Sequence, residues 1–229
     1  MRLLVLPGVL RPPSDCALLA ATMGELGLAR DAEVLDVFTG SGALAVAAAL
    51  DGARAVTAVD SSPRAVLNAR LNSRLNRVRV SVRRGDLFVP VGDTRFDLVL
   101  ANPPYVPGTS DQLPRRGAAL AWEGGRDGRA VLNRLCAELG DHLAPRGSAL
   151  IVHSSLADER QSLERLASGG LDAEVVARRR GPLGPIVASR AELLERRGSL
   201  ALGEREEELI VIRAGAPCAL DDPTPPRAS

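Results

Sequence analysis

Short apolar runs alternate with amphipathic stretches along most of the chain. Seven runs have the length and composition of buried strands, and they lie at 33–38, 55–60, 78–82, 96–101, 148–153, 173–177 and 208–213. The stretches between them predict helices, within 11–28, 43–50, 63–76, 127–143, 156–167 and 191–197. Because strands and helices alternate, the pattern predicts an α/β fold with a mostly parallel seven-stranded sheet and helices on both faces.

The chain has neither an internal repeat nor a linker that would divide it. We expect a single domain over residues 1–213, in which 1–30 form a helical lead-in to the sheet. The segment 214–229 is rich in Pro and Ala, and we expect it to be a disordered tail. The apolar run 3–6 is cut off by Pro7, and no segment reaches the ~18 apolar residues of a membrane helix, so we expect a cytoplasmic protein.

The composition excludes several classes of function. The chain has 229 residues and a formal net charge of +1, which does not suit a strongly basic nucleic-acid coat protein. All 29 basic residues are Arg, so a Lys nucleophile and a phosphate-binding loop with its GK[ST] are impossible. The three Cys and two His residues lack the spacing of metal ligands, and we expect no metal site.

The first predicted strand ends in a Gly-rich turn. Asp36 precedes this turn, which contains Thr39, Gly40 and Gly42. Glycines let the backbone approach a ligand closely, and the N-terminus of the following helix presents free N–H groups. Taken alone, the same turn fits an ordinary connection between a strand and a helix.

Acidic residues follow the second and third predicted strands. Asp60 ends the second strand, where a carboxylate can accept the hydroxyl groups of a ribose, although it can equally cap the next helix. Asp86 follows the third strand, where its side chain can accept a hydrogen bond from an adenine amino group. Ligands of doubly wound sheets bind at the carboxyl ends of the strands, so these acids and the Gly-rich turn are expected at one edge.

The fourth predicted strand runs into the tetrad Asn102-Pro103-Pro104-Tyr105. The Asn102 side-chain oxygen and the Pro103 carbonyl are two acceptors that can hold both N–H bonds of a planar –NH2 group. These acceptors bind the nitrogen more strongly as it becomes tetrahedral and positive during alkylation. The prolines restrict the backbone, and the Tyr105 ring can pack on the planar group. The tetrad therefore predicts methylation of an amide or of a base amine.

These motifs together resemble the class I S-adenosylmethionine-dependent methyltransferases with a Rossmann-like fold, and among them the short HemK-type protein glutamine methyltransferases. The resemblance covers roughly residues 8–213. It implies that S-adenosylmethionine is bound by residues at all four strand ends, namely Asp36, Thr39, Gly40, Gly42, Asp60, Asp86, Leu87 and Asn102. It implies that the glutamine amide is bound by Asn102, Pro103, Pro104 and Tyr105. The segment 121–128 resembles the family's stretch that covers the substrate site.

Two positions depart from the family's pattern. Phe38 stands where the first Gly of the turn is usual, and a similar turn occurs in a group of rRNA guanine methyltransferases. That group carries DPPY, however, so Asn102 favours the amide methyltransferases. Cys16 stands where short relatives often have a Thr at the cofactor, after Pro12 and Pro13. Cys is a weaker hydrogen-bonding residue, and we do not expect it to be a firm cofactor contact.

The resemblance implies a protein partner, a peptide-chain release factor methylated at the Gln of its Gly-Gly-Gln loop. Short relatives also pair with a small zinc-binding activator subunit. Methylation of guanine N2 or adenine N6 in nucleic acid is the main alternative, and the near-zero net charge argues against it. A small-molecule methyltransferase and an inactive cofactor-binding subunit are further alternatives. No membrane partner is expected.

Overall fold

A computed structural model describes residues 1–11, 14–115 and 117–217. Its seven strands are β1 Glu33–Val37, β2 Ala55–Asp60, β3 Ser81–Arg84, β4 Phe96–Ala101, β5 Leu143–Ser154, β6 Asp172–Pro182 and β7 Glu206–Gly215. They form one sheet in the order β3-β2-β1-β4-β5-β7-β6, in which β7 alone runs antiparallel to its neighbours. The predicted mostly parallel seven-stranded sheet is therefore confirmed.

Helices cover both faces of this sheet. They are α1 Ser14–Glu25, α2 Ala43–Leu50, α3 Pro63–Leu75, α4 Ala130–Glu138, α5 Glu159–Ser168, α6 Pro185–Ala188 and α7 Ala191–Arg196. The start of α3 is set by local chemistry, because the Ser62 hydroxyl accepts from the Ala65 N–H and Pro63 occupies the first turn. Within the described ranges, we find no helix long and apolar enough to cross a membrane.

The central strands are buried on both sides. Successive side chains of a strand point to opposite faces, and in β4 Leu98 and Leu100 join one apolar cluster whereas Val99 joins the other. The cluster of Leu98 and Leu100 also contains Leu44 of α2, and the cluster of Val99 contains Leu132 of α4. The continuous apolar runs in the sequence are explained by this two-sided burial.

Several element boundaries differ from those predicted. β5 begins at Leu143 rather than 148, because Pro145 and Gly147 make its first residues look like a turn. That part of the strand is irregular: Phe96 is in register with Leu143, whereas Leu98 is in register with Ser148, which marks a bulge. The third strand lies at Ser81–Arg84 rather than 78–82, and the helix predicted over 127–143 is shortened to α4 with a 3-10 turn after it.

Both ends of the chain need separate comment. β7 continues through Gly215, two residues past the boundary expected for the tail, and Ala214 is fully buried. Of the expected tail, residues 218–229 lie outside the described residues, as do Pro12 and Pro13. Among the described residues of the expected lead-in 1–30, only α1 is helical, and residues 1–6 are in irregular conformation.

The chain between β6 and β7, residues 183–205, forms a cap beside the Asn102–Tyr105 tetrad. Its apolar residues pack on Val106 in a separate cluster made of Leu183, Val187, Ala191, Leu194 and Leu200. Arg190 fastens the cap, because its guanidinium donates to the Pro107 carbonyl (2.7 Å) and to Glu123 Oε2 (2.6 Å). Sequence analysis predicted only the α7 part of this cap.

His153 lies at the end of β5 in a fully buried polar network. Its Nδ1 donates to the Ser154 carbonyl (2.8 Å), so in the neutral ring Nε2 accepts from the Ser162 hydroxyl (3.0 Å). Ser162 Oγ in turn accepts from the buried Arg129 guanidinium (3.1 Å). Burial, with the positive charge of Arg129, lowers the pKa of His153 from 6.5 to about 4.

This shift predicts a pH dependence of folding. The unfolded chain takes up a proton on His153 as the pH falls from 6.5 to about 4, whereas the folded chain does not. Above pH 6.5 His153 is neutral in both states, and its titration does not lower the free energy of unfolding. As the pH falls from 6.5 towards 4, protonation of the unfolded chain lowers the free energy of unfolding by roughly 3 kcal/mol in total. Urea unfolding of the wild type and of His153→Gln, at pH 7 and pH 4.5, measures this difference.

The comparison with His153→Gln is needed because other groups titrate in the same range. Burial raises the pKa of Asp36 to about 7, which lowers stability as the pH rises and so opposes the His153 effect. Asp36 contributes equally to both proteins and cancels in their difference. Equal pH slopes for the two proteins would contradict a buried neutral His153.

Candidate active site

Asp36 lies beneath the Gly-rich turn and fastens it. Its Oδ2 accepts from the Thr39 hydroxyl (2.5 Å) and from the Ala45 N–H (2.9 Å), which joins the turn to the first turn of α2. The residue is fully buried, and its Oδ1 has no hydrogen-bond partner among the described residues. Burial raises the pKa of this carboxyl group to about 7. An unpartnered buried oxygen at this place is a free acceptor for a ligand.

The turn itself needs glycine at one position for packing. At Gly42 (φ 81°) an added Cβ would come 2.8 Å from the Cα of Ala69, so this glycine lets α2 and α3 approach closely. Phe38 also lies in the left-handed region, at φ 64°, where glycine is favoured and a side chain costs of order 1 kcal/mol. Its ring is half-buried and packs on the core. A glycine would adopt this conformation without strain.

Asp60 connects the end of β2 to the turn. Its Oδ2 accepts from the Gly40 N–H and its Oδ1 accepts from the Ser62 N–H, each at 2.8 Å. The helix-capping role that sequence analysis allowed for Asp60 belongs to Ser62. Burial raises the pKa of Asp60. The carboxylate is thus held in a fixed position by backbone donors on both sides.

A cavity of about 100 Å³ lies over the turn, with Thr39, Gly40, Asp60 and Asn102 on its walls. It shares lining residues, Phe38 and Pro104 among them, with a wider cleft of about 780 Å³ that reaches Asp86. The structure therefore brings four predicted strand ends to one continuous cleft. Three residues expected to bind a cofactor do not line it, namely Asp36, Gly42 and Leu87.

Asp86 and Leu87 have different environments at the far end of the cleft. Asp86 is half exposed, and its Oδ2 accepts from Arg134 of α4 at 2.8 Å. Leu87 has a left-handed backbone (φ 50°), and its side chain is buried in the core. Of these two residues, therefore, Asp86 presents its side chain to the cleft and Leu87 does not.

Cys16 orients the amide of Asn102. The Asn102 Nδ2 donates to Cys16 Sγ at 3.2 Å, which leaves the Asn102 oxygen free to accept from a ligand. Burial, together with the charge of Asp15, raises the pKa of the Cys16 thiol to about 12, so the sulfur is a neutral thiol. Sequence analysis gave Cys16 no firm contact with the cofactor, and it missed this contact with Asn102.

Asp15 is a site residue that sequence analysis missed. The Tyr105 hydroxyl donates to Asp15 Oδ2 at 2.7 Å, and the Cys16 N–H donates to Asp15 Oδ1 at 2.9 Å. Asp15 is only 3% exposed, which is unusual for an acid in the first turn of a helix. The contact fixes the Tyr105 side chain, whose pKa is raised by burial and by the nearby negative charges.

A second cavity, of about 660 Å³, lies on the other side of the tetrad. One wall consists of Asn102, Pro103 and Tyr105, and the cap forms another. Most of the lining is apolar, so we call this cavity the apolar pocket. The segment 121–128 borders it, because Trp122 lines the pocket and its carbonyl accepts from the Val106 N–H (2.8 Å). Asn102 lies on the walls of both cavities.

Three asparagines of α3 hold the first residues of the chain beside the cleft. Each side-chain oxygen accepts from one backbone N–H group at 2.7–2.8 Å, and the pairs are Asn68 with Leu6, Asn72 with Leu4 and Asn76 with Arg2. We call these three pairs the asparagine ladder. The buried Asn72 also donates to the carbonyl of Ser41 in the Gly-rich turn (2.8 Å). The asparagine ladder thereby holds the chain directly before Gly8–Leu10, and these residues line the small cavity. The repeat of Asn at every fourth residue was its signal in the sequence.

The described residues contain no cluster of three or more His, Cys, Asp or Glu side chains that would suit a metal ion.

Comparison with known proteins bears on what this cleft binds. A model of the methyltransferase small domain matches residues 14–116. A protein of Methanocaldococcus jannaschii named as a protein N5-glutamine methyltransferase is 35% identical over 176 residues, which are 77% of this chain and 87% of that protein. A release factor glutamine methyltransferase of Geobacter sulfurreducens is 35% identical over 64% of this chain, but the match spans only 54% of that longer protein.

A solved structure agrees with this likeness at the level of the fold. The Mtq2–Trm112 complex of E. cuniculi, described as responsible for methylating the translation termination factor eRF1, superposes with a TM-score of 0.64 at 22% identity. The superposition covers 91% of this chain and 99% of that one. Together with the archaeal relative, these findings show that the chain belongs to the HemK-type class I methyltransferases and is an S-adenosylmethionine-dependent enzyme.

Proposed function

We propose that this enzyme methylates the side-chain nitrogen of a protein glutamine, and that its substrate is a peptide-chain release factor. The observation that carries the proposal is the position of Asn102 on the walls of both cavities. A methyl donor in the cleft and an amide in the apolar pocket would meet at this residue. The names of the archaeal and bacterial relatives support glutamine as the acceptor.

The cleft fits the cofactor in the chemistry of its groups. Asp60, held by two backbone donors, is placed to accept from ribose hydroxyls, and Asp86 from the adenine amino group. Thr39 and Gly40 border the small cavity beside the unpartnered oxygen of Asp36, which suits a cationic amino group. Asp36, Gly42 and Leu87 would act from beneath this surface. When bound, S-adenosylmethionine supplies an electrophilic methyl group.

Asn102 and Pro103 would hold the amide of the substrate. With Nδ2 donating to Cys16, the Asn102 oxygen accepts one N–H of the glutamine –NH2 group, and the Pro103 carbonyl accepts the other. An amide nitrogen is a poor nucleophile because its lone pair is delocalised. Fixed acceptors that bind a tetrahedral, positive nitrogen more strongly than a planar one lower the barrier to alkylation.

Tyr105 would pack on the plane of the amide, with its hydroxyl held by Asp15. Asp15 already accepts from Tyr105 and from the Cys16 N–H, so it serves to position the ring. Transfer of the methyl group leaves the amide nitrogen positively charged with both of its protons. Removal of one proton needs no dedicated base, because this cationic nitrogen is acidic enough to give it to water, and the neutral methylated amide results. Pro104 restricts the backbone that presents the Pro103 carbonyl.

The Asn72 contacts predict an effect on cofactor affinity. Asn72→Ala removes bonds to Leu4 and to the Ser41 carbonyl, which loosens two walls of the small cavity, so we expect S-adenosylhomocysteine to bind about tenfold more weakly. Isothermal titration calorimetry measures this. Asn76→Ala is the matched control, because it removes the corresponding hydrogen bond to the Arg2 N–H, which is exposed to solvent. Equal affinity of the two variants would contradict the role given to Asn72.

Two further aspects of the function follow the relatives. The bacterial relative is longer than the match, and the E. cuniculi relative is a complex with a second protein. We therefore include in the proposal a small activator subunit that provides the grip on the release factor. We also propose a cytoplasmic location, because the proposed substrate is a translation factor.

The test uses cofactor labelled on its methyl group, the purified enzyme and an extract of its host. Label released by protease from a band of release-factor size, and located by mass spectrometry on one glutamine, is the expected result. Purified release factor with that glutamine replaced by Asn should take no label. Label released only by nuclease would overturn the proposal in favour of base methylation. Activity restored only by extract would indicate the activator.

A further inference from the structure

The net charge of +1 conceals a strongly basic part of the chain. Residues 61–85 contain seven of the 29 arginines and none of the 28 acidic residues, so this segment carries a formal charge of +7 and the rest of the chain carries −6. The segment contains α3 and β3, and β3 is an edge strand of the sheet. We call its surface the basic face, and its arginines are Arg64, Arg70, Arg74, Arg77, Arg79, Arg83 and Arg84.

The arginines of the basic face lack counter-charges. All seven residues are exposed, and none of them forms an ion pair with a described Asp or Glu residue. Eight arginines elsewhere in the described ranges do form such pairs, as Arg54 does with Glu33. Because like charges repel one another, cations clustered without anions destabilise the fold. An anionic partner that binds the basic face would remove this repulsion.

Hydrogen bonds to the main chain hold three of these guanidinium groups in place. Arg70 Nη2 donates to the Val82 carbonyl at 2.9 Å, which joins α3 to β3. Arg83 and Arg84 each donate one N–H group to a main-chain carbonyl as well, at 3.0 and 3.2 Å. A guanidinium group has five N–H donors in one plane, so each of the three keeps further donors in a fixed orientation. Such planar donors suit the oxygens of a phosphate group, which they bind in pairs.

The basic face is an open, elongated surface. Arg70 and Arg74 are four residues apart on α3, so they share one side of the helix and lie about 6 Å apart along its axis. Arg77 and Arg79 continue this row between α3 and β3. Among the cavities described above, only the wide cleft is lined by arginines of the basic face. A row of cations on an open surface suits a polymer with an anion on every unit better than it suits one small anion.

We propose that the basic face binds RNA through its phosphate backbone. This inference goes beyond the proposed function, and only the choice of RNA over DNA rests on that function, because a release factor acts on the ribosome, which contains RNA. The low net charge argues against nucleic acid only when charge is averaged over the whole chain. Arg64 and Arg84 also line the wide cleft, so the basic face begins beside the cofactor and extends away from it.

An acidic protein is the competing occupant of the basic face. Leu67 and Leu75 are 52% and 46% exposed on α3, and an amphipathic partner would contact such side chains. RNA is favoured because seven arginines are present without a single acidic residue among them. A phosphate backbone presents anions at regular intervals and no cations, whereas the surfaces of folded proteins carry charges of both signs.

The test combines Arg74→Gln, Arg77→Gln and Arg79→Gln in one variant. These three residues are exposed, and they neither line the cleft nor belong to the three that hold main-chain carbonyls. The matched control combines Arg30→Gln, Arg160→Gln and Arg165→Gln, which are exposed outside the basic face and change the net charge equally. Both variants should bind S-adenosylhomocysteine as the wild type does, which excludes a general loss of structure.

Fluorescence anisotropy with labelled single-stranded RNA, over a series of salt concentrations, measures the binding. At low salt we expect the variant in the basic face to bind RNA at least about tenfold more weakly than the wild type, and the control variant to bind it as the wild type does. The slope of log K against log salt should fall by about two, the share of three phosphate contacts. DNA of the same sequence should bind at least about threefold more weakly, because it lacks the 2′-hydroxyl acceptors.

The outcomes separate this proposal from the proposed function. No RNA binding by the wild type at low salt, or an equal loss in both triple variants, would overturn the basic face as an RNA site and leave glutamine methylation untouched. Equal affinity for DNA would overturn the choice of RNA. Polyglutamate that competes as well as unlabelled RNA of equal charge would favour an acidic protein instead. Transfer of a labelled methyl group to the RNA, with none to protein, would overturn glutamine methylation while supporting the RNA site.

Discussion

Asn102→Ala should lower kcat by at least about a hundredfold, the cost of removing one preorganised group at a reacting centre. The same variant should bind S-adenosylhomocysteine within a few-fold of the wild type, since most of the cofactor's predicted partners lie elsewhere in the cleft. The physical reason is that Asn102 accepts from the substrate amide most strongly when its nitrogen turns tetrahedral. Labelled methyl transfer and calorimetry measure the two quantities on one preparation.

Cys16→Ala provides the matched control for this prediction. It leaves the Asn102 side chain in place but removes the sulfur that accepts from Nδ2 at 3.2 Å. The amide can then rotate between two orientations, and we expect a fall in kcat of only about threefold to tenfold, as for one weak hydrogen bond. Full activity of Asn102→Ala would show that the amide is not bound as proposed here.

Asp60→Ala should weaken the binding of S-adenosylhomocysteine by about a hundredfold, in line with the loss of hydrogen bonds to a charged group. Both oxygens of Asp60 hold backbone N–H groups, of Gly40 and of Ser62, so the substitution also frees the turn. The affinity therefore falls for two reasons, the lost ribose acceptor and the lost order of the cleft. Calorimetric titration gives the dissociation constant directly.

Asp97→Ala is the control for Asp60→Ala. Asp97 Oδ2 also accepts from a backbone N–H at 2.8 Å, that of Glu33, but it does so at the other end of the sheet and in solvent. We expect its dissociation constant to equal that of the wild type. Asp60→Asn keeps an oxygen acceptor and should fall between the two. An unchanged affinity for Asp60→Ala would remove Asp60 from the cofactor site.

The alternation of strands and helices, and the edge at which the site forms, were readable in the sequence. Parallel strands buried on both faces are continuous apolar runs, and the polar residues that end them must meet at the carboxyl edge of the sheet. Asp60, Asp86 and Asn102 were found in this way, and they do line one cleft. The start of α3 was equally local, because Ser62 and Pro63 act within one turn.

The partners of those residues became visible only with the tertiary structure. Cys16 reaches Asn102 across 86 residues of sequence, and Asp15 reaches Tyr105 across 90, because the fold brings the start of α1 beside the tetrad that follows β4. Glu207, whose Oε2 is buried without a partner among the described residues, has an acidic neighbour on each side in β7. These neighbours are paired with arginines, Glu206 with Arg180 and Glu208 with Arg178. The sequence alone therefore does not distinguish Glu207 from them. Local patterns specify elements and their edges, whereas burial and long-range packing decide which polar atom is left free to bind.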